Sequence, residues 1–118
     1  MVHRTKASDL VIDFIWSSLC PNVSACREVI DAATTQFPDR SMAVNEWQIE
    51  TKLPAHCEGY GSPTILINGI DVAGVKPNAF NDCCRVYATM YEIRSVPLVE
   101  EVICAIEFAL TGSIESID

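Results

Sequence analysis

A chain of 118 residues with 49% hydrophobic content and a net charge of −8 is the length of one domain and large enough to bury a core without staples. Sixteen acidic against eight basic side chains argue against nucleic acid or an anionic membrane surface as partner, and the apolar fraction argues against disorder. No apolar run is long enough to cross a membrane, and MVHRTKASD at the start lacks the apolar stretch of a signal peptide. Six cysteines without such a leader suit a reducing compartment, where thiols serve chemistry or metal binding more often than structural bridges. A soluble cytoplasmic protein is therefore expected, folded as a single domain over 1–118 with 1–8 and 112–118 flexible.

Residues 9–16 are rich in β-formers, and Val11, Ile12, Phe14 and Ile15 surround Asp13 in a nearly continuous apolar run. That pattern suits a central strand covered on both faces. Ser17–Ser18–Leu19 ends it, and Cys20–Pro21 opens a helical pattern in which Val23, Cys26, Ile30, Ala33 and Phe37 recur at helical spacing until Pro38–Asp39 stops it. Pro21 suits the first helical position, which makes Cys20 the expected N-cap, facing the free amides and the positive end of the helix dipole. A thiol placed there is expected to be readily ionised and reactive, where a buried small hydrophobe would be inert.

Residues 41–49 read as a second strand carrying Val44, Trp47 and Ile49, and 54–59 as a short turn of helix. TILIN at 64–68 is a third strand, Asn68–Gly69 a hairpin signal, and 70–73 a short fourth strand. Residues 75–94 lack a clear period and read as a long surface excursion. From 97 to 110, Val99, Val102, Ile103, Ile106 and Leu110 fall on one face of a closing helix that Gly112 ends.

The resulting order β-α-β-α-β-β-α implies an α/β fold with a central four-stranded mixed sheet flanked by helices, its first two strands joined by a parallel crossover. With a cysteine after the first strand (Cys20) and a proline before the third (Pro63, in Gly61–Ser62–Pro63–Thr64), the chain resembles the thioredoxin-like superfamily. It is most similar to small thioredoxin-fold proteins marked by CPN, GSPT with Gly-x-Asp, and Cys-Arg-[Val/Leu]-Tyr, some of them labelled alkylmercury-lyase-like. Here those signatures are Cys20–Pro21–Asn22, Gly61–Thr64 with Gly69 and Asp71, and Cys84–Tyr87.

The resemblance implies a cis Pro63 beside the sulfur of Cys20, with the carbonyl and amide of Ser62 available to an extended substrate and Pro21 and Asn22 part of the binding surface. It also implies a thiol-disulfide oxidoreductase or a glutathione-linked activity, with a thiol or disulfide small molecule or protein as substrate. The second thiol of the redox members is missing, since the chain reads Cys20-Pro21-Asn22-Val23. Cys26, on the apolar stripe, reads as core.

Cys83 and Cys84 stand together between Asp82 and Arg85. Either they are ordinary loop thiols, or Cys84 reaches Cys20 to resolve a mixed disulfide or, with Cys83, to complete a soft-metal site for an ion such as Hg(II). Arg85 would then help keep a thiolate charged. Cys57 is a further candidate partner of Cys20, and Cys104 reads as core. His56 and Cys57, neighbours on a helical turn, point apart and read as poor joint ligands, with His56 on the surface. Asp13 is either a proton acceptor beneath Cys20, and with Asp82 a candidate acid for carbon–mercury protonolysis, or a residue of a solvated edge. Trp16, Tyr60 and Phe80 either line a groove over Cys20 or complete the core. Three functions follow from these readings: a Cys20 thiol-disulfide enzyme, a soft-metal or organomercurial thiol protein, and a redox-silent binding module of the same fold.

Overall fold

The computed structural model describes residues 8–78, 85–88 and 92–111. The expectations for Phe80, Asp82, Cys83, Cys84 and both termini fall outside these residues. Strand β1 (Leu10–Trp16), helix α1 (Val23–Thr34) and strand β2 (Met42–Gln48) are followed by a single 3-10 turn at Ala55–Cys57. Strands β3 (Thr64–Ile67) and β4 (Ile70–Asp71), a small hairpin of β5 (Tyr87–Ala88) and β6 (Ile93–Arg94), and helix α2 (Val99–Thr111) complete the order.

The main sheet is mixed, in the order β2-β1-β3-β4. β1 pairs in parallel with β2 and antiparallel with β3, so the strand with the longest apolar run is interior, as its pattern requires. Alternation along β1 divides its residues between two cores. Leu10, Ile12 and Phe14 join Ile65 and Ile67 of β3 under Cys26, Ile30 and Ala33 of α1 and Val102 and Ile106 of α2. On the other face Ile15 and Leu66 pack with Cys57 and Tyr60, flanked by Trp47, Ile49 and Leu53.

The β3–β4 connection is the expected Asn-Gly turn, with positive φ at Asn68 (50°) and Gly69 (84°), the combination a two-residue hairpin needs. At the start of α2 the Glu101 carboxylate accepts the Leu98 N–H at 2.9 Å, reciprocating at a helix end whose first amides lack partners. No helix among the described residues is long and apolar enough to cross a membrane.

Three expectations about the secondary structure and burial change. The 75–94 stretch is no pure surface excursion: it contains β5 and β6, and Tyr87 is buried. Two-residue strands are too short to display a period, which is why the sequence concealed them. Cys104 is exposed on α2; two residues beyond buried Val102, it lies about 200° around the helix from the core face. The third change concerns the start of α1 and belongs with Cys20.

Candidate functional site

β1 delivers the chain to a short segment whose backbone amides, from Ser17 to Cys20, all donate hydrogen bonds. The Ser17 N–H donates to Ser62 Oγ at 2.9 Å, and the Ser17 hydroxyl donates to the Glu50 carboxylate at 2.6 Å. Glu50 also accepts the Ser18 N–H at 3.1 Å, and the Cys20 N–H closes a turn on the Ser17 carbonyl at 3.0 Å. Leu19 projects into solvent at 78% exposure, whereas Cys20 retains only 8%.

Cys20 is not the N-cap of α1. The cap is Asn22, with no side-chain hydrogen bond, and the first helical bond runs from the Cys26 N–H to the Asn22 carbonyl at 3.0 Å. A residue preceding proline is disfavoured in the helical region, so Cys20 stays in the turn and Pro21 is an exposed turn residue ahead of the cap.

Ser62–Pro63 is a cis peptide bond, as the resemblance implied, and both residues are buried. The loop is pinned from two directions. Ser62 Oγ holds the end of β1, while the Ser62 carbonyl accepts the Arg85 N–H at 3.0 Å. The Pro63 carbonyl accepts the Tyr87 hydroxyl, and the Arg85 guanidinium lies 4.3 Å from the Tyr87 ring centroid. The expected opening for a substrate strand at Ser62 is therefore partly filled by the chain itself, because 85–87 returns across the loop and takes the carbonyl.

Arg85 has a different occupation from the one expected. Its Nη1 donates to Asp71 Oδ1 at 2.7 Å and to Thr64 Oγ1 at 2.9 Å, and its Nη2 donates to Asp71 Oδ2 at 3.2 Å. This ion pair joins the three sequence signatures: Thr64 from GSPT, Asp71 from Gly-x-Asp and Arg85 from Cys-Arg-Val-Tyr. Asp71 also accepts the Ala73 and Val75 amides at 2.9 and 3.0 Å, which shapes the turn after β4. Cys26 is fully buried, as expected of a core residue. Burial, followed by repulsion from the nearby Cys20 charge, pushes its thiol up to about 12, and the Arg85 and Arg27 charges offset only part of this.

The structure gives Cys57 to Asp13 and His56, on the sheet face away from the helices, and not to Cys20. Asp13 is buried at 2% exposure and does not lie on a solvated edge. Its Oδ1 accepts the Trp47 indole N–H at 2.7 Å and the Asn45 amide at 3.4 Å, and its Oδ2 lies 3.0 Å from His56 Nε2. Asp13, His56 and Cys57 each place one donor atom within 4.8 Å of the other two. His56 is at the surface as expected, its side chain 53% exposed, but the expectation that it and Cys57 are poor joint ligands is overturned. Angular separation within a turn says nothing of a third residue, here from β1, on which both side chains converge. Tyr60 completes the second core, and Trp16 lies against the first with its indole donating to Glu46 at 3.2 Å.

Sequence reasoning assigned no role to Ser17, Glu50 or Thr64. Their importance comes from contacts 21 to 45 residues away, for which a single sequence holds no local signal. Compared with known proteins, the chain matches no family model, no curated protein and no solved structure.

Proposed function

We propose that the chain is a thioredoxin-like thiol protein that exchanges disulfides through Cys20. The observation that carries this reading is the Ser17–Ser62 hydrogen bond, which ties the cis Ser62–Pro63 loop to the turn bearing Cys20 at the end of the central strand. The strand order β2-β1-β3-β4, with α1 and α2 packed on the same core, supports it. In the proposed reaction the Cys20 thiol yields its proton to solvent and its sulfur attacks one sulfur of a disulfide. A Cys20–substrate disulfide forms as the substrate S–S bond breaks, and the other half departs as a thiolate. Glutathione, or Cys84 if it reaches the site, then attacks the mixed disulfide and restores Cys20. Exposed Leu19 beside it supplies an apolar contact for the incoming group.

The test is a brief treatment of the full chain with iodoacetamide below neutral pH, and separately with oxidised glutathione, followed by peptide mapping. Cys20 is expected to be modified first and to carry the glutathione adduct, with both signals lost in Cys20→Ser. Slow Cys20 labelling without any adduct overturns the reading in favour of a redox-silent module. Absence of exchange together with stoichiometric Hg(II) binding that requires Cys20 and Cys83 or Cys84 favours the soft-metal alternative.

A further inference from the structure

We propose that Asp13, His56 and Cys57 form a binding site for a zinc-class divalent cation, separate from Cys20 and on the sheet face opposite α1 and α2. The donor set is one carboxylate oxygen, one imidazole nitrogen and one sulfur, all within 4.8 Å of each other. Tetrahedral zinc with metal–ligand bonds of about 2.0–2.3 Å separates its ligand atoms by about 3.3–3.8 Å, so small side-chain rotations bring the three donors to bonding positions. Mixed nitrogen, oxygen and sulfur ligation suits zinc, whereas the softest ions prefer sulfur alone.

The surroundings are those of a built site. Asp13 is flanked along β1 by Val11 and Ile15 on the same face, and a buried carboxylate there is costly unless compensated. Trp47 and Asn45 hold its Oδ1, fixing the carboxylate while Oδ2 faces His56, in the way that outer hydrogen bonds orient metal ligands. Cys57 is fully buried, whereas the His56 side chain is 53% exposed, which gives the ion a route in and leaves a fourth position on the solvent side. On binding, Cys57 releases its proton to solvent, and one dication neutralises the carboxylate and the thiolate together.

Cobalt(II), which reports tetrahedral sulfur ligation by its absorption, is the probe. Titration of the reduced full chain is expected to give one equivalent bound, a thiolate-to-cobalt charge-transfer band, about one proton released, and displacement by zinc. The band should vanish in Cys57→Ser and persist in Cys20→Ser and Cys104→Ser. His56→Ala, shown by its circular dichroism spectrum to be folded, should weaken cobalt binding at least tenfold. No band, a band that survives Cys57→Ser, a band that depends on Cys20, or unchanged affinity in His56→Ala each overturns the proposal and leaves Asp13 and His56 a hydrogen-bonded pair. Because the band does not depend on Cys20, its failure is distinguishable from failure of the disulfide-exchange reading.

Discussion

At the scale of single residues, two carboxylates act differently: Glu50 holds the turn that bears Cys20, and Asp71 holds Arg85 against the Ser62–Pro63 loop. Glu50 is at the surface, yet the Ser17 hydroxyl and then the Ser18 amide stabilise its ionised form and bring its pKa down to about 2. A folded pKa below the unfolded one contributes stability that is present above the unfolded value and lost as pH falls through the folded one. The Ser17–Cys20 turn should therefore loosen as pH drops from about 4.5 towards 2. Carbon-13 NMR of the Glu50 carboxyl should show its titration near the lower limit, and Glu50→Gln should speed hydrogen exchange at the Ser18 amide at neutral pH. Asp71 is the buried counterpart. Its side chain has 0% exposure and that of Arg85 has 11%, and removing one partner of such a pair leaves the other charge uncompensated. Asp71→Asn should cost about 3–5 kcal/mol in urea unfolding, and the loss should extend to protection of the Arg85 and Val75 amides.

Among the elements, α1 shows how the apolar stripe turns into stability. Cys26, Ile30 and Ala33 are its buried residues and lie over Ile12 and Phe14 of β1, so Ile30→Ala should cost about 2–5 kcal/mol, by lost transfer energy and the cavity left behind. Arg27 grips β2 from the same helix through Glu46, with contacts of 2.7 and 2.9 Å. Half exposed, that pair adds little. The loop before β3 depends instead on backbone shape. Gly59 has φ of +89°, and a Cβ there would stand 3.0 Å from Pro77 Cβ and 3.1 Å from the Asn78 nitrogen. Gly59→Ala should destabilise by about 1 kcal/mol or more, and thermal unfolding will register it.

Across the whole molecule the buried thiol of Cys26 sets an alkaline limit. Burial holds its pKa at about 12 in the fold, above the ordinary thiol value of 9.0, and a raised value contributes stability that is complete below the unfolded pKa and lost as pH climbs through the folded one. Stability should hold to about pH 9 and decline from there towards 12. Cys26→Ala, although less stable at neutral pH, should show a shallower alkaline decline in urea midpoints. A decline of equal steepness in the variant would assign the effect to other groups.

The sequence by itself determined the α/β class, the interior position of β1, the Asn-Gly hairpin and the core face of α2. Each of these is written locally, in a run of apolar residues, a two-residue turn or a helical period. It also singled out Cys20 and Pro63, and the structure tied their two loops together through Ser17 and Ser62. The tertiary structure alone decided which groups meet from distant positions. Arg85 turns to Asp71 and Thr64 because β4 and the 85–87 segment return to the same loop. Asp13, three residues before the end of its strand, meets His56 and Cys57 because the turn after β2 folds over that sheet face. Periodicity reports which side of an element is buried, but not what covers it. That depends on loop paths whose contacts span from 14 to 45 residues.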